Sequence, residues 1–194
     1  MRPDASHVSR RDLLIGAALT ASLSTGPVRE APGRSQVRGP LLEAGQGVVD
    51  TTPPLGIEMG GFHKPPGQER RVEGIRHKTA VRALALRVGD EVAAIVSVDI
   101  LIIPTDLADR VARRAEAASG IPAKNIRICA THTHSMPSFA PLRQWGAIPL
   151  DYMAAVESAI VEAVTLAARD LAPAKLHLGT AKTVGASFNR TIAN

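Results

Sequence analysis

The sequence predicts an α/β fold, a mixed β-sheet with helices packed on it, from three observations. Strand-like and helix-like segments follow one another over residues 44–184 in the order β, β, β, α, β, α, β, which is typical of layered α/β domains. Two of the strand-like runs are joined by Gly89-Asp90, a pair that favours a tight antiparallel hairpin. Both helix-like segments carry apolar residues at three- and four-residue steps, as helices packed on a sheet do.

The first three predicted strands are short apolar or alternating runs. Residues 44–50 form the first, and Pro53-Pro54 follows it. Residues 79–88 and 91–98 flank the hairpin turn, and the second of these runs is almost continuously apolar. Such a run predicts a strand that is covered on both faces. Asp99 comes directly after it, and we expect this acid either to cap the strand end or, preferentially, to support a site residue.

Two helices and a last strand complete the predicted order. The first helix covers residues 105–119, with Thr105 as its N-cap and Gly120 as its stop. The second covers residues 151–171 and ends before a proline. Residues 175–184 return to strand-like alternation. The core-facing stripe predicted for the second helix consists of Met153, Val156, Ile160, Val164, Ala167 and Leu171.

A long segment without periodicity separates the first two strands. Residues 55–76 are rich in glycine and proline, and a connection of this length inside a compact domain is usually functional or disordered. Gly60-Gly61 predicts a tight turn or a close backbone approach. Neither a glycine-rich phosphate loop nor a G-x-S-x-G elbow occurs in the sequence, which excludes the common nucleotide-binding and α/β-hydrolase motifs.

The N-terminus is similar to a twin-arginine export signal. Ser9-Arg10-Arg11-Asp12-Leu13-Leu14 precedes a short apolar stretch, residues 15–23, which is too short to span a bilayer as a helix. We therefore expect residues 1–30 to be a signal peptide for the twin-arginine export machinery. Residues 31–43 read as a linker. The expected location is periplasmic or secreted, without an integral membrane span.

Composition limits the possible partners. The formal charge of +5 comes from scattered basic residues, and no basic cluster is interleaved with aromatics, so the sequence does not predict nucleic-acid binding. The single cysteine, Cys129, lies in an apolar run. It cannot form an internal disulfide, and we expect it to be a small core residue.

The motif with the most chemical content is NIRICATHTHSMPS, residues 125–138. An apolar alternation over residues 126–130 predicts a strand. His132 and His134 follow it, two residues apart, and in extended backbone their side chains would point to the same side. Two imidazoles at the end of a buried strand favour a metal site. The alternative is a pair of polar loop residues.

Four segments together resemble the N-terminal catalytic region of neutral/alkaline non-lysosomal ceramidases. They are GVVDTTPPLGIEMGGF, VAAIVSVDIL, NIRICATHTHSMPS and FNRT. The motif T-H-T-H-S is far more specific than His-x-His alone. The resemblance covers residues 44–194, and it implies that these residues are the N-terminal part of a larger catalytic domain, truncated here.

The resemblance also implies an activity and roles for individual residues. Its implied function is a zinc-dependent amidase that cleaves the N-acyl bond of a lipid substrate, ceramide, into a sphingoid base and a fatty acid. Position by position, it implies that His132 binds Zn²⁺ and that the catalytic His134 lies beside the bound water and the scissile amide. Arg190 and either Gly61 or its neighbour Gly60 would contact the substrate.

Some residues depart from the family pattern. Met136 stands where the family commonly has glycine, and Phe62 stands in place of a tyrosine. The family's zinc site takes a further His, a Glu and a Tyr from segments beyond this length, so the resemblance implies that this chain alone is incomplete and inactive. The alternatives are an exported amidohydrolase of other N-acyl substrates and a non-catalytic domain. An apolar groove leading to the histidines favours ceramide, and a closed polar pocket favours the other amides.

Overall fold

The computed structural model describes residues 41–62, 64–65, 67–141 and 146–185. The predicted signal peptide, most of the predicted linker and Arg190 lie outside these residues. Within them, no helix is both long and apolar enough to cross a bilayer. The elements in chain order are β1 (Leu42–Asp50), β2 (Ala80–Val88), β3 (Glu91–Val98), α1 (Thr105–Ser119), a 3-10 turn (Ala123–Asn125), β4 (Ile126–Ala130), α2 (Leu150–Arg169) and β5 (Ala172–Pro173).

These strands form one mixed sheet in the order β4-β3-β2-β1-β5. The neighbours β1/β2, β2/β3 and β1/β5 are antiparallel, and β3/β4 is parallel. The predicted mixed α/β architecture is confirmed. The hairpin turns at Gly89-Asp90 as predicted, with Gly89 at a φ of 59°. Helix α1 lies in the connection between the parallel strands, because such strands need a long crossover.

The two helices cover one face of the sheet, where the apolar core lies. Helix α2 packs on β1 and β2, and α1 packs on α2 and β4. Two glycines of β1 allow α2 to approach closely: a Cβ atom on Gly47 would lie 2.0 Å from the carbonyl oxygen of Ala163, and one on Gly45 2.2 Å from that of Ala167. The largest buried side chains facing this layer include Val81, Val96, Val98, Leu107, Val111, Ile160 and Val164.

The opposite face of the sheet is open among the described residues. Val48, Leu84 and Ile95 point to it and are 56%, 42% and 52% exposed. The prediction that β3 is covered on both faces is therefore wrong for this part of the chain. Its burial alternates, because both helices lie on the side of Val96 and Val98.

Strand β4 lies at an edge of the sheet and follows the same alternation. Ile126 faces the helices and is buried, whereas Cys129 pairs in register with Ser97 and is exposed. The prediction of Cys129 as a core residue is wrong. The residue lies in an apolar run, but the period-two geometry of the strand directs its thiol to the open face.

The bounds of the helices agree closely with the predictions, but the N-cap of α1 does not. Helix α1 has its predicted bounds and its stop at Gly120, which has a φ of 77°. Its N-cap is Pro104, with no side-chain cap bond, so Thr105 is already helical and the predicted cap is wrong. Helix α2 ends at Arg169, two residues before the predicted end.

The last predicted strand, residues 175–184, is wrong. Only Ala172–Pro173 pair with the sheet, and the described residues that follow have no regular structure. Leu176 and Leu178 are strongly exposed. Apolar alternation alone does not produce a strand here. The neighbouring strand β1 begins at Leu42, so no described strand lies beside residues 175–184 to pair with them.

Glu157 of α2 provides a test of the contact between the helices. Its side chain is almost buried at 8% exposure, and its carboxylate accepts hydrogen bonds from Arg110 at 2.5 Å and Arg114 at 3.1 Å. We expect Glu157→Gln to lower the free energy of unfolding by about 1–3 kcal/mol, because it removes charge-assisted bonds to arginines that remain partly hydrated. Denaturant unfolding followed by circular dichroism measures the loss.

The matched control is Glu162→Gln on the same helix. Glu162 is exposed, so its neutral replacement should change the free energy of unfolding by less than about 0.5 kcal/mol. Equal effects of the two substitutions would show that the ion pairs of Glu157 do not join the helices.

Candidate functional site

The candidate site lies where the parallel strands β3 and β4 end side by side. The Thr131 N–H donates to the Val98 carbonyl at 2.9 Å, so the two chains leave the sheet together. Further along, the Leu101 N–H donates to the Pro137 carbonyl at 3.1 Å. The segment after β3 is thereby held against the histidine motif, at the carboxyl ends of parallel strands where α/β sheets commonly place ligands.

His132 differs from the prediction in its backbone. Strand β4 ends at Ala130, and His132 has a φ of 59°, in the left-handed region that non-glycine residues rarely occupy. The two histidines therefore do not both lie in extended backbone. The prediction that strand alternation points their side chains to the same side is wrong. Their rings still come together, with centroids 5.2 Å apart and planes at 73°.

The hydrogen bond of His132 determines which ring nitrogen is free. Nδ1 lies 3.0 Å from the Leu101 carbonyl oxygen. A carbonyl oxygen can only accept, so Nδ1 is the nitrogen that carries the proton in the neutral imidazole, and in that form Nε2 has the free lone pair. Metal-binding histidines commonly have this arrangement, with a carbonyl that fixes the tautomer and the orientation of the ring. His132 is also exposed, so a ligand can reach it.

His134 is half-buried and is enclosed by the preceding loop. A Cβ atom on Gly61 would lie 2.5 Å from Nδ1 of His134, and Gly61 has a φ of 95°. The Phe62 ring meets the His134 ring edge to face, with centroids 4.8 Å apart. Gly61, predicted to contact substrate, is thus placed directly against the predicted catalytic ring.

Sequence reasoning missed Arg70, which completes the surroundings of His134. Its Nη1 donates to the His134 carbonyl oxygen at 3.0 Å, and its guanidinium carbon lies 4.7 Å from the Phe62 ring centroid. No signal in the sequence identified it, because it lies in a loop without periodicity beside a second arginine, Arg71.

The loop of residues 55–76 is folded back on itself where it is described. The Met59 N–H donates to the Arg70 carbonyl at 2.8 Å, and the Glu58 carboxylate binds Arg71 at 2.7 Å. The loop is joined to the histidine motif through the Gly60 N–H, which donates to the Met136 carbonyl at 3.0 Å. The long segment is therefore a structured wall of the site.

A cavity of about 540 Å³ lies between this loop and the motif. Its lining combines apolar and polar side chains, and neither His132 nor His134 belongs to it. This geometry matches neither an apolar groove leading to both histidines nor a closed polar pocket. Among the lining residues are Met59, Arg70, Val72, Thr133, Ser135 and Met136.

Asp99 and Tyr152 stabilise the neighbouring strand ends. The Asp99 carboxylate accepts from the Ala80 N–H at 3.0 Å and from Arg82 at 2.8 Å, the contacts of a strand-end cap rather than the favoured support of a site residue. The Tyr152 hydroxyl donates to the Thr51 carbonyl at 2.5 Å. Burial raises the pKa of Tyr152 to about 12, so the phenol keeps this proton at neutral pH.

The described residues bring His132, His134 and Gly61 together, and Arg190 lies outside them. Within the same residues, no group of three or more His, Cys, Asp or Glu side chains is arranged to hold a metal ion. His132, with its free Nε2 and carbonyl-fixed ring, fits one position of a zinc site.

Three comparisons place this architecture among known proteins. The family model for neutral/alkaline non-lysosomal ceramidase, N-terminal, matches residues 42–194. The neutral ceramidase of Mycobacterium tuberculosis is 29% identical over 164 residues, which cover 78% of this chain and 25% of that protein.

Two solved structures have a similar fold. A ceramidase complexed with C2 and the neutral ceramidase from Pseudomonas aeruginosa each give a TM-score of 0.53 at 21% identity. The similarity covers 69% of this chain and 22% of each of theirs. The chain spans about a quarter of the length of these relatives, and the family match extends over most of its own residues. This chain belongs to the neutral/alkaline non-lysosomal ceramidase family, matching its N-terminal region.

Proposed function

We propose that this protein contributes to a zinc-dependent hydrolase that cleaves the N-acyl bond of ceramide-like sphingolipids into a sphingoid base and a fatty acid. The observation that carries the proposal is the pair of adjacent imidazoles, with Nδ1 of His132 bonded to the Leu101 carbonyl and Nε2 left free. Membership of a ceramidase family supports the choice of substrate class.

His132 would hold Zn²⁺ through Nε2. A catalytic zinc normally has three protein ligands and a water, so we propose that further ligands come from outside the described residues. Bound zinc polarises a carbonyl oxygen and lowers the pKa of its water to about 7, which is the chemistry that amide hydrolysis requires at neutral pH.

His134 is proposed to move the proton. When the C–N bond of the amide breaks and a C–O bond to water oxygen forms, the departing amine nitrogen must gain a proton. A histidine beside the reacting atoms can deliver it. The contacts with Gly61 and Phe62 hold the His134 ring in one orientation, as proton transfer in a defined direction demands.

The remaining predictions extend the proposal. Arg190 and Gly61 are proposed to contact the substrate, Gly61 from its place beside the His134 ring. Because the chain spans about a quarter of its relatives, we propose that it is inactive alone. Export by the twin-arginine machinery to the periplasm or beyond, where a lipid substrate is met, likewise stays a prediction from residues 1–30.

The test uses the longest gene product that contains this chain. We expect it to contain zinc and to release fatty acid from a short-chain ceramide, and we expect His132→Ala to lower both zinc affinity and hydrolysis by about 100-fold or more. Loss of an outer contact of a metal ligand already costs about 10–100-fold. Metal analysis and a fatty-acid assay measure the two effects.

The matched control is His177→Ala, at an exposed histidine outside the site, which should leave both quantities unchanged. Cleavage of other N-acyl compounds without ceramide cleavage would favour the alternative amidohydrolase. Absence of both zinc and hydrolysis in the unsubstituted protein would favour a non-catalytic domain.

A further inference from the structure

Arg70 lies at the point where the loop of residues 55–76 meets the histidine motif. It is half-buried, and none of the described carboxylates lies within 4.0 Å of its guanidinium. Its charge is therefore not used in an ion pair among these residues. Its partners are the His134 carbonyl oxygen, the Phe62 ring and the sulfur of Met59.

Two of these contacts concern His134, one directly and one through the Phe62 ring. The hydrogen bond from Nη1, at 3.0 Å, holds the His134 backbone. The guanidinium also lies over the Phe62 ring at 4.7 Å, and that ring meets the His134 imidazole edge to face at 4.8 Å. Arg70 thus connects the backbone of His134 with the aromatic ring that borders its side chain.

These contacts depend on the shape of an arginine. The planar guanidinium can stack on an aromatic face while one N–H donates in its own plane to a carbonyl oxygen. An ammonium group is a compact charge that lacks this combination, so lysine keeps the charge and loses the geometry. The neighbouring Arg71 makes different contacts, with Glu58 at 2.7 Å and the Gly56 carbonyl at 2.9 Å.

We infer that Arg70 is a positioning residue for His134: it clamps the Phe62 ring and the His134 backbone together and so sets the orientation of the imidazole. Arg70 acts through His134 and does not itself react. The inference rests on the proposed function only for the catalytic role of His134. The clamp itself can be observed without catalysis.

The first test observes the clamp by NMR in the chain of residues 1–194. In the unsubstituted chain we expect a nuclear Overhauser effect between the ring protons of Phe62 and His134. Arg70→Ala and Arg70→Lys should each remove this effect and shift the His134 ring signals. Arg71→Ala, which deletes an arginine from the same loop, should preserve it. Thermal unfolding shows whether each variant is folded. If Arg70→Ala is not folded, Arg70→Lys decides the result.

The second test uses the longest gene product that contains this chain. Arg70→Lys should lower kcat by about 10- to 100-fold, as misplacement of a reacting group does, and should change KM less than threefold. Arg71→Ala should leave kcat unchanged. A fall in stability alone would not lower kcat while leaving KM nearly unchanged in the folded fraction of the enzyme.

The outcomes separate this inference from the proposed function. If the ring contact survives in folded Arg70→Lys, Arg70 does not position His134, whatever the enzyme does. If the contact is lost but no amide is hydrolysed by the unsubstituted protein, the clamp stands and the proposed function fails. If the contact is lost and kcat is unchanged, the clamp stands as a contact but has no effect on catalysis, and the assignment of Arg70 as a positioning residue is overturned.

Discussion

The Gly47→Ala variant should lose about 3 kcal/mol of its free energy of unfolding. A methyl group at this position would lie 2.0 Å from the carbonyl oxygen of Ala163, which belongs to the backbone of α2 and cannot rotate away. The helix must move off β1, and overpacking of this kind usually costs about 1–3 kcal/mol, occasionally more. A domain with a total stability of about 5–15 kcal/mol should unfold at a clearly lower denaturant concentration.

Gly74→Ala is the control for this substitution. Among the described residues, no atom outside its two chain neighbours lies within 4 Å of a Cβ placed on Gly74, so the same chemical change meets open space. Urea unfolding of both variants, followed by circular dichroism at 222 nm, compares them directly. Coincident unfolding curves would show that α2 is not seated on β1 at the distance described.

The second large effect is expected from Gly61→Ala, at the candidate site. The added methyl would lie 2.5 Å from Nδ1 of His134, at a backbone φ of 95° that disfavours any residue with a side chain. We expect the His134 ring to be displaced and the Phe62–His134 ring contact to be lost. In the longest gene product, kcat should fall by about 100-fold, because displacement by about 1 Å has consequences of that size.

Gly56→Ala separates the two causes of the expected loss, which are backbone strain and the collision of the added methyl group with His134. Gly56 has a φ of 86°, but no atom of the described residues other than its chain neighbours lies within 4 Å of the position that an added methyl group would take. The substitution therefore introduces comparable backbone strain without the collision. We expect it to cost about 1 kcal/mol of stability and to leave the ring contact intact. A loss of kcat in Gly56→Ala as large as in Gly61→Ala would mean that strain in the loop, and not the space beside His134, controls activity.

Much of the architecture could be predicted because its signals are local. The turn at Gly89-Asp90 and the bounds of α1 follow from residues that are close in sequence, as does the strand before the histidines. The predicted burial of β3 and of Cys129 failed for one shared reason. An apolar run indicates a strand, but the position of the helices decides which of its faces is covered.

The site was predictable in part. The motif singled out His132 and His134, and the resemblance pointed to Gly61. The backbone geometry at the two histidines could not be predicted from the sequence. His132 has a left-handed backbone, and the rule that alternate residues share a side applies only to extended strands. Arg70 was missed because its contacts with His134 span 64 positions, and nothing in its neighbourhood indicates them.

The class of fold, the order of the elements up to α2 and the family to which the chain belongs all followed from the amino-acid sequence. These depend on periodicity, turn residues and a specific motif, all of which are properties of neighbouring residues. The free nitrogen of His132, the position of Gly61 against His134 and the clamp formed by Arg70 became visible only in the folded structure. Each depends on a contact between segments distant in the chain, and such contacts exist only after the loop of residues 55–76 packs against the ends of β3 and β4.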